Sequence, residues 1–156
     1  MSAFDSALSA EARLAQLGIS LPQESEPAAN YANVVFAGSL LFVSGKGPAG
    51  RPSGKLGQTF ATEDGYRFAR SAGLEIVAVV RQALGSLDRV ARVVKLQGFV
   101  NAAPTFGEHH LVLNGCSDLM RELFGERGIH SRSVLGANSL RDDLPVIIDS
   151  VFQIAN

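Results

Sequence analysis

Apolar residues recur along this chain in two rhythms, one near 3.6 residues and one near two, and their succession predicts the elements. Leu8, Ala12 and Ala15, flanked by Leu14 and Leu17, form a stripe at helical spacing. Ser6 or Ser9 is placed to cap that helix and Gly18 to end it. Pro22 and Pro27 then break regularity, so residues 1–28 read as a helical arm and its connector. Two apolar runs follow, Val34–Ala37 and Leu40–Ser44, and the Gly38-Ser39 pair between them suits a tight antiparallel hairpin. Residues 45–58 hold five glycines and two prolines and predict a loop. Thr62 is placed as the N-cap of a helix running to Leu84, with Phe68, Ala69, Ala72, Ile76, Val79, Val80 and Ala83 on its buried face and Gly85 as its stop. Arg92–Val100 reads as a strand with Val94, Leu96 and Val100 on one face. A second long helix spans Glu108–Phe124 on a stripe of Leu113, Cys116, Met120, Leu123 and Phe124, and Gly125 closes it. Strands at Ser131–Leu135 and Val146–Ile154 complete the order β-β-α-β-α-β-β after the arm.

That order predicts an α+β domain over residues 1–156, a mixed sheet with two long helices on one face and an extra N-terminal helix. The opposite sheet face then needs cover of its own. Composition sharpens the point: 46% of residues are hydrophobic and only 19% charged, below the roughly 25% usual for soluble domains. Scarce charge on one domain points to surface hidden against a partner. Fourteen Lys and Arg against fifteen Asp and Glu leave a net charge of −1, which supplies no general attraction for a nucleic-acid backbone. The single cysteine, Cys116, excludes an intrachain disulfide framework. The uncharged stretch Pro27–Gly45 has about the length of a membrane span, but Pro27, Asn30, Asn33, Gly38, Ser39 and Ser44 interrupt it, and a hairpin accounts for it better. With no secretory signal ahead of Arg13, the expectation is a cytoplasmic protein without membrane contact.

Few motifs survive inspection. Gly45, Gly47 and Gly50 spell a dinucleotide fingerprint after a strand, yet Pro48, Pro52 and Gly54 prevent the helix that such a site needs. Lys46 follows Gly45 as in a phosphate-binding loop, but Leu40 occupies the first glycine position and no Ser or Thr follows the lysine. His109 and His110 are adjacent on a helix, about 100° apart, and cannot both face one metal; no metal and no cofactor is expected. Cys116 lies on an apolar stripe and reads as core. Two charged residues stand out inside apolar strands. A guanidinium held on a rigid strand, as at Arg132, suits two-pronged capture of a carboxylate, although surface arginines are commoner. Asp149 interrupts the run Val146–Phe152, where a carboxylate needs a partner, water or a raised pKa, or else reaches solvent from an edge.

The ordered set of Tyr31 ahead of the hairpin, LFVSGKGP at 41–48, Leu84-Gly85-Ser86-Leu87-Asp88, FVNAAPTF at 99–106, FGERGIHSRSVLGANSL at 124–140 and a closing strand with Asp149 resembles the Rid family of reactive intermediate deaminases, also called YjgF-like or endoribonuclease L-PSP. The likeness runs from about Asn30 to Ile154 and is nearest to a longer branch carrying an N-terminal arm. It implies a chorismate-mutase-like fold and a homotrimer whose sheets form an inner barrel with a ligand cleft at each subunit interface. It also implies hydrolysis of imines and enamines such as 2-aminoacrylate to 2-oxo acids and ammonia, without cofactor. By the same resemblance Arg132 binds the substrate carboxylate, Tyr31 enters the cleft from across the interface, Ser44 and Gly45 line it, and Asp149 positions or activates water. The chain departs from the family pattern at Val134, where many members carry cysteine, at Ile147, which is often acidic, at Asp149, which is shorter than the usual glutamate, and in a longer Leu140–Pro145 connector. The alternatives are a non-catalytic trimer that binds a small carboxylate metabolite or a partner enzyme, and, less favoured, RNA cleavage served by a local patch of Lys46, Arg51 and Lys55.

Overall fold

The computed structural model describes residues 8–156. Eight main elements follow one another: α1 (Ala10–Gln16), β1 (Val34–Ala37), β2 (Leu40–Lys46), α2 (Thr62–Leu84), β3 (Val90–Asn101), α3 (His109–Phe124), β4 (Ser131–Ala137) and β5 (Val146–Ile154). The five strands form one sheet in the order β1-β2-β5-β3-β4. β5 runs antiparallel to both β2 and β3, while β3 and β4 are parallel and joined through α3. The expected α+β plan, a mixed sheet with two long helices and an extra N-terminal helix, is the one found. Gly38 turns the β1–β2 hairpin at φ 58°, the positive φ that a glycine-first two-residue turn requires.

One sheet face packs on the helices. Leu41, Val43, Val93, Leu96, Val100, Ile148 and Phe152 from the strands meet Ile76, Val80, Leu113, Met120 and Leu123 from α2 and α3, all buried. The helices approach closely because glycines line their seam. A Cβ on Gly115 of α3 would lie 2.0 Å from the backbone oxygen of Tyr66 on α2, and one on Gly73 would lie 3.0 Å from Leu119.

Several local expectations are corrected by packing. The cap of α2 is Ala61, whose amide donates to the Asp64 carboxylate at 2.9 Å, so Thr62 is the first helical residue. In β3 the buried apolar positions are Val90, Val93, Leu96 and Val100, so Leu96 and Val100 fall as expected but Val94 does not, because two bulges against β5 each shift the alternation by one. Gly125 does close α3, at φ 60°. In the arm, Ser9 caps α1 as expected, whereas Ser6 lies outside the described residues. Its buried residues are Ala10, Arg13 and Leu14, while Ala15 and Leu17 are exposed. Ala10 and Leu14 join the core, and polar contacts fasten the arm further. Glu11 accepts from Arg81 at 3.0 and 3.1 Å and from the Leu87 amide at 2.9 Å.

The connector is fastened in the same way. Ser25 donates its amide to Glu75 at 2.6 Å, and the buried Lys46 ammonium donates to Asn33 Oδ1 at 2.6 Å and to Ser25 Oγ at 3.2 Å. Lys55 is likewise engaged, with Asn101 Oδ1 at 2.6 Å and the Asn138 carbonyl. The local basic patch considered for RNA therefore loses two of its three members to internal bonds. The long connector before β5 builds its own polar knot, in which the Asp143 carboxylate accepts from Asn101 at 2.9 Å and from Ser53 at 3.1 Å. Among the described residues, no helix is long and apolar enough to cross a membrane.

Candidate functional site

The face away from the helices is largely apolar, with Val35, Phe42 and Leu135 about half exposed. Across its middle the strand registers set one polar row. A bulge in β2 places Ser44 and Gly45 opposite Asp149 of β5; Asp149 pairs with Gln97 of β3, and Gln97 with Ser133 of β4. Phe42, Val151, Lys95 and Ser131 form the row on one side of it, and the apolar Ile147, Phe99 and Leu135 the row on the other. Gly45 is required where it stands, because a Cβ there would meet Ile147 Cγ2 at 2.8 Å. Ser44 binds back to the hairpin's lead-in, its hydroxyl donating to the Ala32 carbonyl at 2.7 Å and its amide to Asn33 at 2.9 Å. Tyr31 thereby lies beside the bulge, 43% exposed, with its phenol oxygen accepting from the Ala28 amide at 3.1 Å.

The Asp149 carboxylate receives no hydrogen bond from the described residues. Partial burial pushes its pKa above the ordinary 3.8, and Lys95 pulls weakly the other way. This is the environment of a carboxylate that can hold and release a proton.

Arg132 stands apart. It pairs with Leu96, so its side chain projects to the helix face of the edge strand β4, opposite to the face of Asp149. Its Nη1 donates to Ser117 Oγ on α3 at 3.1 Å and its Nη2 to the His110 carbonyl at 2.9 Å. From β2 to β4 is three strand spacings, about 14 Å. One chain thus holds Tyr31, Ser44 and Gly45 beside β2, Asp149 on the central strand β5, and Arg132 on the edge strand β4 with its side chain toward the helices.

Three contributors were not singled out from the sequence. Gln97 and Ser133 complete the polar row, and their only signal was polarity within apolar strands. His130, which the sequence showed only as part of the segment 124–140, lies behind Arg132. Its Nδ1 is 2.6 Å from the Gly128 carbonyl, and its Nε2 is 2.9 Å from Ser117 Oγ. A carbonyl only accepts, so Nδ1 carries the proton. Burial, the largest influence, lowers the His130 pKa below 6.5 against the Gly128 hydrogen bond, which raises it, and Arg132 and Arg121 add to the lowering. The unfolded chain therefore takes up this proton before the folded one does, and stability should fall as pH drops below about 6.5. Thermal unfolding across that range should show a shallower loss in His130→Gln; equal slopes would contradict the buried neutral ring. Cys116, beside Ser117, is fully buried, and desolvation drives its thiol up to about 12. A concavity of about 570 Å³ lies elsewhere, at the end of α3 among Arg13, Arg121, Glu122 and Arg127, and includes none of these residues.

Comparison with known proteins follows the same lines. A family model described as "YjgF/chorismate_mutase-like, putative endoribonuclease" matches residues 11–147. Protein TCP17 of Trypanosoma cruzi is 41% identical over 150 residues, 93% of this chain and 94% of that protein. The crystal structure of Atu1372, a protein of unknown function from Agrobacterium tumefaciens, is 39% identical, covers 93% of this chain and 92% of its own, and superposes with a TM-score of 0.85. E. coli TdcF, solved with bound serine, shares the fold at 22% identity and a TM-score of 0.56, over 86% of this chain and 94% of its own.

Proposed function

The chain belongs to the YjgF/chorismate-mutase-like family, and from that premise we propose that it hydrolyses small carboxylate-bearing imines and enamines of the 2-aminoacrylate type to 2-oxo acids and ammonia. The observation that carries the reading is the Arg132 guanidinium, fixed on an edge strand by Ser117 and His110. Of its five N–H donors the described residues engage two, which leaves three to grip a carboxylate. The serine bound to E. coli TdcF is itself a small carboxylate-bearing molecule.

An enamine first tautomerises to its imine. Water then adds across the C=N bond, Asp149 taking its proton as the C–O bond forms and passing that proton to the nitrogen. The carbinolamine O–H proton next moves through Asp149 to the amine, the C–N bond breaks as C=O forms, and ammonia leaves. The carbon is already electrophilic, so orientation and proton transfer are the two tasks left to the protein. A carboxylate whose pKa lies above its ordinary value is a better base and a competent acid in turn.

Arg132 and Asp149 occupy opposite faces of one chain, so the substrate lies between two copies. Arg132 comes from one, and Tyr31, Ser44, Gly45 and Asp149 from the next. Val35, Phe42 and Leu135, apolar and exposed on the open face, support a homotrimer closed by that face. RNA cleavage is the weaker reading, because Lys46 and Lys55 are already engaged.

The test couples the protein to an enzyme that releases 2-aminoacrylate and times ammonia and 2-oxo acid formation. The expected result is acceleration over the uncatalysed rate, with an acid limb in kcat displaced above the ordinary carboxylate pKa and absent from the residual activity of Asp149→Asn. No acceleration by the wild type would overturn the deaminase reading. Carboxylate binding that depends on Arg132 without turnover would identify a metabolite-binding trimer instead. Light scattering gives the assembly; a monomeric mass removes the shared cleft.

A further inference from the structure

Behind Arg132 runs a chain of hydrogen bonds in which every proton can be assigned. The Gly128 carbonyl accepts from His130 Nδ1 at 2.6 Å, which leaves Nε2 of the neutral ring with a lone pair. The Ser117 hydroxyl, 2.9 Å away, must therefore donate to Nε2. With its proton directed there, Ser117 Oγ turns a lone pair toward Arg132 Nη1 at 3.1 Å. The order is Arg132 to Ser117 to His130 to Gly128, each link fixing the next. Ser117 is 9% exposed and sits on α3, while His130 immediately precedes β4, so both ends rest on rigid backbone.

We propose that Ser117 and His130 are positioning residues that set the plane of the Arg132 guanidinium for carboxylate capture. Neither touches substrate; they act through the arginine, and the role rests on the carboxylate reading above. The His110 carbonyl holds the second nitrogen at 2.9 Å, so the fork is fixed at two points and cannot rotate freely about its stem. Without Ser117 the guanidinium keeps one anchor and samples poses that do not match a planar carboxylate. Binding then includes the cost of ordering it, which appears in affinity before it appears in the chemical step. Cys116, the neighbour of Ser117, contributes nothing here, since its buried thiol is neutral.

The experiment measures pyruvate binding by calorimetry, and KM and kcat in the coupled imine assay, for the wild type, Ser117→Ala, Ser117→Thr and His130→Phe. Thermal unfolding confirms that each variant is folded. Ser117→Ala and His130→Phe should weaken pyruvate binding and raise KM about tenfold, the scale of one hydrogen bond to a charged group, with a smaller loss in kcat. Ser117→Thr, which keeps the hydroxyl, should restore most of the affinity. Folded Ser117→Ala and His130→Phe proteins that bind pyruvate as the wild type does would overturn the positioning role alone. A wild type that neither binds pyruvate nor hydrolyses the imine would overturn the carboxylate reading, and the positioning role with it.

Discussion

Arg132→Ala is expected to lower kcat/KM for a 2-aminoacrylate-type imine by about 30-fold to several thousandfold. That range corresponds to the about 2–5 kcal/mol lost when one partner of a desolvated, hydrogen-bonded charge pair is removed. Arg132→Lys should rescue little, because an ammonium offers a point charge where a fork is needed. The decisive form of the experiment uses two impaired proteins. Arg132 and Asp149 are on opposite faces of one chain, so a cleft that uses both must draw them from neighbouring copies. Arg132→Ala unfolded and refolded together with Asp149→Asn should then regain activity. In a cyclic trimer assembled at random from equal amounts, about a quarter of the clefts combine an intact arginine with an intact aspartate. Mixed proteins that stay as impaired as their parents would show that both groups come from one chain, and the proposed division of the cleft would fall.

The second large effect concerns the helix seam. Gly115→Ala should destabilise the protein by about 2–3 kcal/mol, the upper part of the range for overpacking. In a chain of this size that lowers the melting temperature by about 5–10 °C. Helix propensity alone argues the opposite sign, since alanine exceeds glycine by about 1 kcal/mol in a helix interior. Geometry decides it: the new Cβ would stand 2.0 Å from the Tyr66 backbone oxygen, and a backbone atom has no rotamer with which to yield. Either α2 and α3 separate, which opens the core, or the α2 backbone bends. Gly107→Ala is the control, because its Cβ meets nothing within 4 Å, and it should change stability by less than about 0.5 kcal/mol. A Gly115→Ala protein as stable as the wild type would mean that the helices pack further apart than described here.

What the sequence made legible was whatever local periodicity and turn chemistry control. The hairpin at Gly38, the stripe of α3 from Leu113 to Phe124 and the stops at Gly85 and Gly125 all depend on near neighbours. Features set by distant strands were not legible. Val94 follows an alternation that two bulges against β5 interrupt, and nothing within β3 itself announces them. Gly115 reads locally as a weak spot in a helix, and only the approach of α2 makes it necessary. The site divides in the same way. Arg132 and Asp149 stood out as charges inside apolar strands, and Tyr31, Ser44 and Gly45 came from the ordered resemblance, but which face each occupies depends on register. The support behind Arg132 was missed because Ser117 and His130 are 13 residues apart on different elements, and although His130 falls within the segment 124–140, nothing there points to Ser117.

Cys116 carries a practical consequence. The chain's single thiol sits in the seam between α2 and α3, within 3.1 Å of where a Cβ on Gly73 would lie, and it is held protonated. It is the chain's only cysteine, so no thiol lines the proposed cleft. An alkylating reagent in the assay would leave the native protein untouched and mark only chains whose two long helices have parted. The rate of labelling is thus a clock for opening of the core, and it can run in the same tube in which turnover is measured.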